Sequence, residues 1–227
     1  MNDVSPSRDA RGASPDRRTQ APYCAWSSLI YLKPRLKRRL APLAARLAHA
    51  GATANQVTIT SIVGSLAVGT ALCRYRDAPA FFAMLPLWLA ARMALASIDG
   101  TLAIDHGQQS RLGGFLNEAG DIVSEVALFL PLAFVAPTLA PWVLAVIVLM
   151  VLSELAGIGA AWRGGVRRLD GSFGKADRSL ALAGLGSWLA VSGSLPTHMP
   201  VLMLIFAVLL LVTIWNRLRF ASAGDRA

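Results

Sequence analysis

Long apolar runs separated by short polar stretches dominate the chain between residues 57 and 214. A helix that crosses a bilayer needs about 20 mostly apolar residues. Six runs approach that length: Val57 to Cys73, Ala80 to Ile98, Gly114 to Val135, Leu139 to Trp162, Ser179 to Gly193 and Met199 to Ile214. The fifth is short and rich in Gly and Ser, and residues such as Gly184 and Gly186 suit a helix packed tightly inside a bundle. Ahead of the first run, "LKPRLKRRLAPLAARLAHAG" places Leu36, Leu40, Leu43 and Leu47 at helical spacing with Lys and Arg between them. That is the pattern of a basic helix lying in a membrane interface, with a plain juxtamembrane linker as the alternative. In "TANQVT", Thr53 or Asn55 is placed to cap the first span, and Asn55 alternatively serves a site at the same face.

The expected fold class is therefore all-α: a polytopic membrane protein with six transmembrane helices and an N-terminal amphipathic interfacial helix. Residues 1–28 are polar, rich in Ser, Pro, Asp and Arg, and read as a disordered tail without the apolar centre of a signal peptide. Residues 29–219 form the membrane domain, and 220–227 a short C-terminal tail.

Composition agrees with the pattern. Of 227 residues 55% are hydrophobic and only 15% charged, values that belong to a multi-spanning membrane protein. The net charge of +9 raises the question of nucleic acid, but the basic residues lie between apolar spans and form no basic folded face. Anionic lipid headgroups and topology account for them, and no nucleic-acid partner is expected. Ten of the 22 basic residues precede the first span. Arg111 follows the second span; Arg163, Arg167, Arg168, Lys175 and Arg178 follow the fourth; Arg217, Arg219 and Arg226 follow the sixth. The links "APTLAP" and "SGSLPTH" carry none, so both termini and both charged loops are expected in the cytoplasm, with Arg74 and Arg76 on the other side. Cys24 and Cys73 lie in unrelated contexts and read as free thiols.

The candidate chemistry lies in carboxylates that interrupt the apolar runs. Asp99 closes the second span, while Asn117, Asp121 and Glu125 recur every four residues in the third and so share one helix face, descending about 6 Å per step. Ionisable groups within a span are costly and normally face a cavity or a partner. Arg92 lies two turns before Asp99, and Glu154 is buried at similar depth in the fourth span. Arg92, Glu125 and Glu154 read as a structural ion pair between helices, or Arg92 as a cation that receives a phosphate. Carboxylates from two adjacent helices suit a hard divalent cation, which would neutralise a diphosphate, and a carboxylate outside the ligand set can accept the proton of an attacking hydroxyl. Gly100, Gly113 and Gly114 give the backbone room nearby. The loop "WRGGVRRLDGSFGKADRS" gathers Arg167, Arg168, Lys175 and Arg178 with Gly171 and Gly174, either as an anion pocket for an acidic acceptor or as a topology signal.

These residues resemble the signature of the CDP-alcohol phosphatidyltransferases, D-x2-D-G-x2-A-R-x8-G-x3-D-x3-D, which straddles the second and third of six spans. Asp99, Gly100, Ala103, Gly113 and Asp121 match with the spacing intact, while Ala96, Ile104 and Asn117 stand where the signature has Asp, Arg and Asp. The resemblance covers roughly residues 29 to 219. It implies transfer of a phosphatidyl group from CDP-diacylglycerol, or a related CDP-alcohol, to an alcohol acceptor with release of CMP, in phospholipid biosynthesis, by a homodimer, and six spans without a targeting signal fit a bacterial inner membrane. It further implies Asp121 as the base and two divalent ions, Mg²⁺ or Mn²⁺; with Ala96 and Asn117 in place of two carboxylates, Asp99, Asn117 and Asp121 are left as ligands for one ion instead of two. Gly100, Ala103, Gly113, Arg111 and Arg92 would meet the nucleotide diphosphate, and Lys175 and Arg178 the acceptor. Two other readings stay open: a pseudoenzyme of the same fold that binds lipid or nucleotide, and a small transporter using its intramembrane charges as a relay. Against the transporter, the acidic positions cluster at one face and no internal repeat is visible.

Overall fold

The computed structural model describes residues 29–162 and 173–223. The expected N-terminal tail, Cys24, and the loop residues Arg163, Arg167, Arg168 and Gly171 lie outside the described residues, as does Arg226. Every regular element among the described residues is helical: α1 Leu29–His49, α2 Ala54–Arg74, α3 Met84–Asp105, α4 Arg111–Phe129, α5 Pro131–Val135, α6 Ala140–Trp162, α7 Lys175–Ser192 and α8 Met199–Ala223. Short 3-10 turns, Pro79–Ala83 and Pro137–Leu139, lead into α3 and α6.

Local chemistry explains the boundaries. Thr53, not Asn55, caps α2: its hydroxyl accepts from the Gln56 N–H while the Gln56 side chain accepts from the Thr53 N–H, a reciprocal pairing that satisfies two backbone donors. Ser110 caps α4 by accepting from the Gly113 N–H at 2.9 Å. Pro86, Pro141 and Pro200 all fall in the first turn of a helix, where a missing N–H removes no bond. Gly193 ends α7 in the left-handed conformation, φ +75°, which glycine adopts without a Cβ penalty.

The third apolar run, expected as one span, is broken. Pro131 begins α5 one residue after α4 gives way, because proline cannot donate back to the Ala127 carbonyl. That carbonyl faces Gly69 of α2: a Cβ built at Gly69 would land on the Ala127 oxygen. A Cβ at Gly120 would likewise strike Ile62. Small residues thus let α2 and α4 approach closely, as at helix crossings in membranes.

Four segments are long and apolar enough to cross a membrane: Ala54–Arg74, Pro79–Asp105, Pro137–Gly159 and Met199–Arg219. The two other expected spans, α4 and α7, fall short because they carry the charges: Arg111, Glu118, Asp121 and Glu125 in α4, and Lys175, Asp177 and Arg178 in the 18 residues of α7. Large apolar side chains point outward around the bundle, among them Leu87, Phe115, Val191 and Trp215. Such a surface fits hydrocarbon better than water.

The main core joins α2–α8 through residues such as Leu72, Leu85, Leu128, Met150, Leu189 and Met203. A second, smaller core lies under α1, where Ala44 packs with Ala54, Val57, Ile98 and Leu102, flanked by Leu40 and Leu47. The apolar stripe of α1 is therefore divided: Leu40 and Leu47 turn onto the bundle, whereas Leu43 stays exposed. Lys37 and Asp105 bridge α1 to the end of α3 at 3.2 Å.

Candidate functional site

The site forms where the α1–α2 corner, the end of α3 and the starts of α4 and α7 meet. Gln108, in the α3–α4 loop, pins this corner. Its side chain accepts from the Ala54 N–H at 2.7 Å and donates to the Ala52 carbonyl at 3.2 Å. It thereby satisfies a free donor at the start of α2. A Cβ on Gly113 would stand 2.6 Å from Asn55 Oδ1 and 2.9 Å from Ser110 Oγ, so glycine lets the start of α4 close against α2 without displacing either side chain. Asn55 thus reaches the first turn of α4 and leaves the capping of α2 to Thr53.

Asp121, half-buried on α4, is held between two cations. Arg92 Nη2 of α3 lies 2.9 Å from its Oδ1, and Lys175 Nζ, at the first residue of α7, lies 2.5 Å from its Oδ2. Asp99 projects into the same site, close enough for the two carboxylates to repel one another. Its Oδ2 accepts from the Thr58 hydroxyl at 2.7 Å. Asn117 is half-buried one turn above Asp121, and its side chain makes no hydrogen bond among the described residues. Gly100 faces open space, with nothing within 4 Å of a Cβ built there. Ala103 turns instead onto the small core under α1, and Arg111 is exposed at the start of α4.

Beneath this site lies a second group of charges. Arg178 Nη2 sits 2.9 Å from Glu125 Oε2 and 2.6 Å from Glu154 Oε1, and Arg217 Nη1 stands 3.5 Å from the same Glu154 oxygen. Arg217 also donates to the Ser153 carbonyl. Arg178 is completely buried, which corrects its expected place at an acceptor: it joins α4, α6 and α7 from inside. The inter-helical ion pair expected for Glu125 and Glu154 exists, but its cations are Arg178 and Arg217. Arg92, grouped with these carboxylates from sequence, instead serves Asp121. Arg217 and Thr58 gave no sequence signal beyond their types, since their partners come from distant helices.

A divalent ion on Asp99, Asn117 and Asp121 does not fit this arrangement. Hard cations bind where several anionic oxygens are free to converge. Both Asp121 oxygens already accept from cations, one Asp99 oxygen accepts from Thr58, Asn117 is neutral and Ala96 offers no ligand. No group of three His, Cys, Asp or Glu side chains among the described residues is placed to hold a metal. Two carboxylates and two cations leave the site electrically neutral before any ion arrives.

No protein-family model matches the chain. Its fold is that of phosphatidylinositol phosphate synthase of Mycobacterium tuberculosis. The crystal structure of that enzyme with CDP-DAG bound superimposes with a TM-score of 0.65 over 81% of this chain and 94% of the other, at 22% identity. The same enzyme in complex with manganese and citrate superimposes with a TM-score of 0.62 over 80% and 88%, at 23% identity. Among curated proteins, an inner membrane protein of Escherichia coli, YnbA, is 36% identical over 192 residues, covering 85% of this chain and 95% of the relative. At that identity and coverage, the chain belongs to the family of the inner membrane protein YnbA.

Proposed function

We propose that the protein transfers a phosphatidyl group from CDP-diacylglycerol, or a related CDP-alcohol, to a hydroxyl acceptor and releases CMP, as a step of phospholipid biosynthesis. The observation that carries this is the convergence of Arg92 and Lys175 on Asp121, with Asp99 near enough to repel it, in a fold shared with an enzyme solved with CDP-DAG. It acts as an integral protein of a bacterial inner membrane, as a homodimer, with α4 and α7 completing six spans around the four longer ones and both termini cytoplasmic. The basic α1 lies along the cytoplasmic interface, where its Lys and Arg meet anionic headgroups.

Asp121 accepts the proton of the attacking hydroxyl once its oxygens are released, and a positioned carboxylate of this kind contributes about 10²–10⁴-fold. Asp99, steadied by Thr58, orients the acceptor hydroxyl or the ribose. The open face at Gly100 admits the nucleotide beside the backbone, with Gly113 shaping the loop, Ala103 backing it and Arg111 at the entrance. Lys175 faces both the diphosphate and the acceptor. No step passes through a metal ion.

A second reading has its own support: a lipid–nucleotide binder without turnover, suggested by Ala96 in place of the first signature Asp and by the double pairing of Asp121. The deciding experiment follows CMP release in nanodiscs from CDP-diacylglycerol and a pool of alcohols, for the wild type beside Asp121→Asn and Asp99→Ala. Release that is lost in both variants supports the transferase, and omitting alcohols singly identifies the acceptor. Retention of CDP-diacylglycerol without any CMP release leaves the binder.

A further inference from the structure

Divalent ions serve phosphoryl transfer by setting positive charge against the phosphoryl oxygens. In this protein positive charge is already supplied by side chains. Arg92 from α3 and Lys175 from α7 converge on a single carboxylate of α4, at 2.9 and 2.5 Å. We propose that these two cations form a metal-free receptor for the diphosphate of the CDP-lipid, with Asp121 occupying the phosphate's place until the substrate arrives. The proposal rests on the reading of this site as one for a CDP-lipid, and adds that no divalent ion is needed to use it.

Three features point this way. First, Ala96 and Asn117 add no carboxylate to Asp99 and Asp121, while two cations stand against Asp121. A further cation entering here would find both Asp121 oxygens already taken. An anion entering here would meet charge-assisted donors of the kind that hold phosphate. Second, these cations can be reached. The Lys175 side chain is 34% exposed and Arg92 12%, whereas Arg178 below them is 0%. Third, the guanidinium of Arg92 uses one nitrogen on Asp121, which leaves other donors of its planar fork to span two phosphate oxygens.

The exchange also prepares the chemistry. Phosphate oxygens take the hydrogen bonds that Asp121 accepts in the free protein, and its carboxylate is released beside the reacting centre. The acceptor oxygen bonds to the phosphatidyl phosphorus. The bond from that phosphorus to the bridging oxygen breaks, and its electron pair leaves with CMP. The hydroxyl proton passes to Asp121, while Arg92 and Lys175 stand against the charge on the phosphoryl oxygens.

The test measures retention of radiolabelled CDP-diacylglycerol and release of CMP by the nanodisc-embedded full chain, in excess EDTA and in Mg²⁺ or Mn²⁺. Mn²⁺ binding is read in parallel from the free-ion paramagnetic resonance signal. The expected result is equal retention and equal release in EDTA and in metal, with no Mn²⁺ taken up. Arg92→Gln and Lys175→Gln should each lower retention about ten- to hundredfold, and Arg92→Lys and Lys175→Arg should restore part of it, which shows that the variants fold. In a rebuilt ligand set, Ala96→Asp with Asn117→Asp, Mn²⁺ should begin to bind. Release that EDTA abolishes and metal restores would overturn the metal-free receptor and leave the transferase standing. Metal-independent retention without release would overturn the transferase and leave the receptor. Retention unchanged by both Gln variants would also overturn the receptor.

Discussion

Asp121 and Glu125 lie one turn apart on α4, and each meets cations from other helices, yet the two groups differ in kind. Around Asp121 the partners are partly open, with Lys175 34% and Asp121 26% exposed. Around Glu125, Arg178 is 0% and Glu125 6% exposed. Water and ligands can compete for the Lys175 pair, so it contributes little to stability and can be exchanged. The lower pairs have no competitor. Removing one member leaves a bare charge in a low-dielectric interior, which costs several kcal/mol. One turn of helix therefore separates an exchangeable counter-ion from a fixed joint.

The sharpest break in this comparison is Arg178→Met, which removes the cation that Glu125 and Glu154 share. Thermal unfolding in detergent should show a loss of about 3–5 kcal/mol. If the loss is no larger than for Lys175→Gln, the distinction between the two groups collapses. Glu154→Gln retains an oxygen for Arg178 but removes the charge, and should cost about 1–3 kcal/mol by the same measurement. Lys175→Gln should change unfolding by less than about 1 kcal/mol, even though it removes the shortest contact of the upper group. Smallest of all is the effect of salt. Between low salt and about 1 M NaCl, where the screening length falls to about 3 Å, the stability difference between wild type and Lys175→Gln should shrink by a few tenths of a kcal/mol. The Arg178→Met difference should stay as it was.

The sequence carries the helices well and the pairings poorly. Hydrophobic runs locate α2, α3, α6 and α8, and polar caps mark where helices begin, because both signals are local. The choice between Thr53 and Asn55 depends on backbone geometry, and the Gln56 side chain decides it for Thr53. Spacing places Asn117, Asp121 and Glu125 on one face of α4, but a face does not reveal which neighbour it meets. Lys175 and Arg178 are three residues apart and read as one basic patch. In the fold the first opens onto the site and the second points into the interior, because they stand on α7 at different angles to α4. Gln108 passes as an ordinary loop residue, since its role depends on backbone groups more than 50 positions away. The signature spacing suggests a metal site. Only the arrival of Arg92 and Lys175 at the last Asp shows that its charge is already matched.

The buried joint also has a history within each molecule's synthesis. Glu125 precedes Arg178 by 53 residues and Glu154 precedes it by 24. At about 5–20 residues per second, α4 waits roughly 3–10 s for its counter-charge. During that interval it is a helix too polar to settle alone, held by the glycine crossing with α2 that is already complete. The joint between α4, α6 and α7 is thus completed only when the ribosome has delivered the arginine.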